Sequence, residues 1–176
     1  MQTSSRLPMD KHLQRSATCI EQVLLGAKLE ELRPLQAGKW SAAEILEHLT
    51  RAFTSTVKLL ENRLASDVAT TRRPTWRERW RILVVIEAGC FPTGVEAPKF
   101  TLPKGVASEL VLPGFHAALK TMDQTLDRCE QRFGRGKIAA HFLFGPLSAR
   151  QWRKFHWVHT RHHAAQLKAL RQAQPG

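Results

Sequence analysis

Apolar residues recur every three or four positions over four long stretches of the chain, with one long irregular connection between the second and third. The first stretch covers residues 10–32 and carries Ile20, Val23, Leu24, Ala27 and Leu32 at helical spacing. Pro34 and Gly38 close it. The second begins at Ser41-Ala42-Ala43-Glu44, a capping-box pattern in which Ser41 accepts from a free backbone N–H and Glu44 reaches back. Trp40, just before the cap, is placed to staple against Ile45. Ile45, Leu49, Ala52, Phe53, Thr56, Leu59 and Leu60 then share one face, and the helix is expected to end near Ser66. The third stretch, residues 108–133, buries Phe115, Leu119, Met122, Leu126, Cys129 and Phe133; Pro113 leaves its start anywhere between 108 and 113, and Gly134 and Gly136 end it. The fourth starts at Ser148, where Ser148-Ala149-Arg150-Gln151 is a second capping box, and runs to about residue 172, short of Pro175-Gly176.

Residues 67–107 follow a different rule. Trp76, Trp80, Leu83 and Val84 predict a short helix, although residues 82–86 also fit a buried strand. Pro92, Pro98 and Pro103, with Gly94 and Gly105, then mark a turn-rich crossover. A connection this long in a compact domain is commonly functional or covers an end of the core. The expected architecture is all-α: one domain over residues 1–176, built as a four-helix bundle, with residues 1–8 flexible and residues 67–107 a Pro-rich crossover containing a short helix.

Composition changes this picture little. A chain of 176 residues suits one domain with a sizeable core. Cys19, Cys90 and Cys129 are too few and too widely spaced for a disulfide framework and form no C-x-x-C pair, so they read as reduced thiols. Residues 1–8 are polar, and the most apolar internal stretch, residues 82–89, falls far short of the ~20 residues a membrane span needs. A cytoplasmic protein without membrane contact is therefore expected. The net charge of +12 favours anionic ligands or polyanions, but the Lys and Arg are scattered, with no long arm of like charge.

The chemistry lies in His156-Trp157-Val158-His159-Thr160-Arg161-His162-His163. At about 100° per residue, His159 and His163 fall within about 40° of each other on a helix. They lie in a stripe with Trp152, Phe155, Gln166 and Leu170, the natural core face; His162 flanks it and His156 borders its other edge. Two imidazoles one turn apart on a buried face can chelate one divalent ion. The competing reading is a pair of hydrogen-bonded core histidines. A third ligand has to come from another helix, and His48, beside Ile45, Leu49 and Ala52, completes a three-His set. Three protein ligands leave a coordination position for water or substrate. Glu44 belongs to the cap rather than the metal, and Gln166 is placed to hydrogen-bond a ligand or a bound water.

Three segments then carry a resemblance. Gly38-Lys39-Trp40-Ser41-Ala42-Ala43-Glu44-Ile45-Leu46-Glu47-His48-Leu49, the stretch His141-Phe142-Leu143-Phe144-Gly145-Pro146-Leu147-Ser148 leading to Trp152, and His159-Thr160-Arg161-His162-His163-Ala164-Ala165-Gln166 together resemble the DinB/YfiT-like superfamily. The resemblance spans residues 10–172. It implies an up-down-down-up bundle and a divalent ion, zinc or nickel, on residues matching His48, His159 and His163. It also implies metal-dependent chemistry with a low-molecular-weight thiol: S-transfer to an electrophile, or related hydrolysis or isomerisation. A homodimer fits the family as well. Phe142 follows His141 where the family often has Pro, so His141 is not counted as a ligand. Arg77, Arg79 and Arg81 are expected either to steer an anionic thiol or to form an exposed basic face.

Two readings of another class stay open. A closed or saturated site would make the protein a non-catalytic metal-binding bundle. Lys and Arg gathered on one face with exposed aromatics would make it a nucleic-acid-binding module whose affinity falls steeply with salt.

Overall fold

The computed structural model describes residues 8–34, 38–70, 72–92 and 94–173. Residues 1–7 and 174–176 lie outside them, so the expected flexibility of the N-terminus and the Pro175-Gly176 stop fall outside the described residues. Among the described residues the fold is mostly helical: α1 (Lys11–Leu24), α2 (Ala42–Ser66), α3 (Trp76–Arg81), α4 (Ser108–Phe133) and α5 (Ala149–Ala173), with strands β1 (Ala139–His141) and β2 (Gly145–Leu147). None of these helices is long and apolar enough to cross a membrane.

Both capping boxes form. Ser41 N–H donates to Glu44 Oε2 at 2.8 Å and Glu44 N–H to Ser41 Oγ at 3.3 Å, which fixes the start of α2 about two turns before His48. Ser148 and Gln151 do the same for α5, at 3.2 and 3.4 Å. A further box, Thr75 with Glu78, starts α3.

Helix α1 is shorter than its apolar pattern predicts. Leu25 leaves the helical region and Gly26 takes φ +73°, a conformation a side-chain-bearing residue rarely adopts. The apolar pattern continues because Leu32 is buried and Ala27 and Leu29 pack on the core from turns. Helix α4 begins at Ser108, so Pro113 sits inside it rather than opening it. Residues 82–86 are not a strand: α3 widens into a π-helical turn, Ile82–Glu87, where Ala88 N–H donates to Leu83 O five residues back at 2.8 Å. No residue of α3 is buried, whereas Ile82, Val85 and Ile86 of the wide turn are.

Helix α2 lies along α4 and α1 along α5, and contacts of α5 with α2 and α4 close the core. Leu49, Phe53 and Leu60 of α2 meet a core shared with Phe115, Leu119, Met122 and Leu126 of α4, Leu13 and Ile20 of α1, and Trp152 and Leu167 of α5. Phe53 is fully buried, its ring 5.7 Å from Phe115; truncating a ring so placed costs about 3–5 kcal/mol.

Two small elements sit at the open end of this core. The antiparallel hairpin β1–β2 pairs Ala139 with Leu147 and His141 with Gly145, and Gly145 holds φ +65° with the Glu78 carboxylate where a Cβ would stand. A single 3-10 turn, Lys99–Thr101, packs on α2. Three side chains of α2 fasten this turn and the residues after it. His48 Nδ1 bonds Thr101 O at 3.0 Å, Arg51 donates to Phe100 O at 2.9 Å, and the buried Glu47 carboxylate accepts from the N–H groups of Lys104, Gly105 and Val106 at 2.7–3.1 Å.

Candidate metal centre

His48 sits two turns into α2, and His159 and His163 sit one turn apart on α5; all three are buried. Their Nε2 atoms converge. His48 Nε2 is 3.2 Å and His163 Nε2 is 3.1 Å from His159 Nε2, and one ligand atom from each residue lies within 4.8 Å of the others. A tetrahedral ion with metal–nitrogen bonds of about 2.0–2.1 Å separates its ligand nitrogens by about 3.3 Å. The spacing therefore matches the donor set the sequence predicts.

Hydrogen bonds at the far side of two rings assign their tautomers. The Thr101 carbonyl can only accept, so His48 carries its proton on Nδ1 and presents a lone pair at Nε2. Gln166 Oε1 accepts from His163 Nδ1 at 2.8 Å, with the same consequence, while Gln166 Nε2 bonds His162 Nε2 at 3.3 Å. Among the described residues His159 Nδ1 has no partner, and it is shut away from solvent. Two lone pairs thus face His159 Nε2, and a single N–H there could satisfy only one. A cation satisfies all three nitrogens, and carbonyl acceptors behind metal-bound imidazoles are the usual means of orienting them.

Burial keeps these imidazoles neutral, the form that binds metal. It lowers His48, against a small opposing pull from the Thr101 carbonyl. It lowers His163 to about 3, helped by His48, and takes His159 well below its ordinary value, helped by His163 and His48.

The trio opens onto a cavity of about 1280 Å³. Trp40 lies over it, its ring 4.8 Å from His48 and 6.3 Å from His163, and Phe91 stacks on His159 at 5.4 Å. Phe100, Phe142 and Leu59 extend the apolar wall, and Lys39 and Lys58 are exposed cations on its lining.

The other candidates fall as follows. Glu44 is in the cap. Gln166 is exposed rather than part of the core stripe, but it holds His163. His162 is half-buried against Phe91, 4.8 Å away. His156 is deeply buried and bonds Thr56 Oγ1 at 3.2 Å. Arg77, Arg79 and Arg81 do not line the cavity among the described residues: Arg77 lies over the Trp76 ring and Arg81 donates to Leu143 O at 3.2 Å. Sequence reasoning missed Thr101, Glu47 and Phe91, which reach the site through nonlocal contacts. Trp40 had a signal, its place beside the cap, and its ring lies 4.8 Å from the imidazole of His48.

Residues 12–169 match the family described as a protein of unknown function, DUF1569, and the chain belongs to that family. No curated protein and no solved structure matches the chain.

Proposed function

We propose that this is a DinB/YfiT-like metalloenzyme: an up-down-down-up four-helix bundle, with α3 and its wide turn in a Pro-rich crossover, that holds zinc or nickel on His48, His159 and His163. It transfers a low-molecular-weight thiol to an electrophile, or runs a related hydrolysis or isomerisation. The observation that carries the reading is the convergence of three neutral imidazole nitrogens at the wall of a large cavity. A site serving structure alone is ordinarily closed by four protein ligands; here three converge and a cavity lies beside them.

A bound divalent ion would supply a Lewis acid with a free position, at which a thiol or water ionises near neutral pH. The chain does the rest. Thr101 O and Gln166 Oε1 hold the His48 and His163 rings with their Nε2 lone pairs inward. Glu47 fastens residues 104–106, and so the turn that carries Thr101, onto α2. Trp40 and Phe91 screen the imidazoles from bulk water and leave an apolar seat for an electrophile. Lys39 and Lys58 provide positive charge for the carboxylates of a small thiol.

Cobalt(II) titration of the purified chain tests this. The reading expects visible d–d bands of a four- or five-coordinate site, lost in His48→Ala, and a sulfur-to-cobalt band in the near ultraviolet when a small thiol is added. A cobalt spectrum that thiols leave unchanged counts against thiol chemistry, and none of these bands in the wild type counts against the site.

A further inference from the structure

On β1, a fourth histidine faces the same cavity and plays no part in the metal set. His141 is 8% exposed, and its ring is enclosed by Phe142, Phe144 and Phe155, with centroids 4.4–4.7 Å away. Leu143 N–H donates to His141 Nδ1 at 3.1 Å. A ring nitrogen that accepts holds no proton, so His141 carries its proton on Nε2. Among the described residues Nε2 has no hydrogen-bond partner, and His141 lines the cavity. This donor is left free to meet whatever enters the cavity, in a ring otherwise walled by phenyl groups.

The surroundings say what the occupant is. The walls beyond His141 are aromatic: Phe91, Phe100, Phe142 and Trp40. Phe100 and Phe142 meet edge-on at 6.4 Å, and each is more than half exposed, so they form an apolar rim. One neutral N–H suits one uncharged oxygen, and a carboxylate would lose its water against the phenyl rings around it. Phe155 stands between this donor and the metal set, 4.6 Å from His141 and stacked at 5.7 Å on His159.

We infer that the cavity binds an aromatic or otherwise apolar carbonyl compound, and that His141 Nε2–H donates to its carbonyl oxygen. This names the class of electrophile for the site and rests on the reading of the cavity as the substrate site.

The test uses two probes of one shape, benzophenone and 1,1-diphenylethylene, which differ only in C=O against C=CH2. Both are titrated onto the full chain in EDTA by tryptophan quenching. The affinity ratio of benzophenone to diphenylethylene is expected to fall about fivefold in His141→Phe. In the wild type, the bound carbonyl stretch is expected to lie below its position in an alkane solvent, a reading that needs no variant. An unchanged ratio, an unshifted stretch, or no binding of either probe overturns the inference. Because metal is absent throughout, a failure of the metal reading appears in the cobalt titration and leaves these results untouched.

Discussion

His48 Nε2 stands 3.2 Å from His159 Nε2, although 111 positions separate them in the chain. The Thr101 carbonyl fixes the proton of His48 on its far side, so a proton on His159 Nε2 could serve His48 or His163 but not both. Two helices are thus packed so that imidazole lone pairs meet, an arrangement that a cation resolves.

Gln166 is the least buried part of this arrangement, and its effect is separable from folding. Its Oε1 holds His163 Nδ1 at 2.8 Å from an exposed position. Gln166→Ala is expected to weaken zinc binding about tenfold with little change in stability. Competition against a chromophoric chelator reads the first, and urea unfolding of the metal-free protein reads the second.

Acid should destabilise the metal-free chain through its buried histidines. Burial lowers His156 to about 3, helped by His141, from an ordinary value of 6.5. The unfolded chain therefore takes up this proton first as pH falls. The stability it carries is complete above about pH 6.5 and is lost toward pH 3, at up to about 1.4 kcal/mol per pH unit. Thr56 Oγ1, which donates to Ala52 O, accepts from His156 Nε2, and the amide of glutamine can replace that donor. The slope of unfolding free energy between pH 6 and 4 is expected to drop by about one proton in His156→Gln, and an unchanged slope would contradict this assignment.

Glu47 has a structural task that the metal set depends on. Burial pushes its carboxyl upward, but three backbone N–H bonds, from Val106, Lys104 and Gly105, outweigh this and lower it. Glu47→Gln turns an amide donor toward N–H groups that need an acceptor. A loss of about 2–3 kcal/mol in urea unfolding is expected, with faster amide exchange at residues 104–106.

The three thiols should separate by reactivity. Cys90 is exposed, Cys19 is half-buried with its thiol raised by burial against the pull of Arg161, and Cys129 is buried with its thiol pushed up to about 11. Ellman's reagent followed by peptide mapping is expected to label Cys90 first, Cys19 slowly, and Cys129 only after denaturation.

What the sequence showed follows from what is local. Capping boxes at Ser41 and Ser148 lie within four residues, and they placed the starts of α2 and α5 to within a residue. Helical phase alone put His159 and His163 on one face. The end of α1 was misplaced because Leu32 is buried from a turn, and burial without helix leaves the same apolar mark. The hairpin β1–β2 was missed because strands of three residues have too little alternation to read. Thr101 contributes a backbone carbonyl, which no side-chain pattern can announce, and Glu47 reads locally as one more polar position of α2.

Metal content, measured by mass spectrometry on protein purified without a nickel column, tests the central claim most directly. About one zinc, nickel or other divalent ion per chain is expected, lost in both His159→Ala and His163→Ala. A wild-type chain that carries no metal, and takes none after soaking with zinc and nickel, would contradict the account and leave the three imidazoles as core histidines.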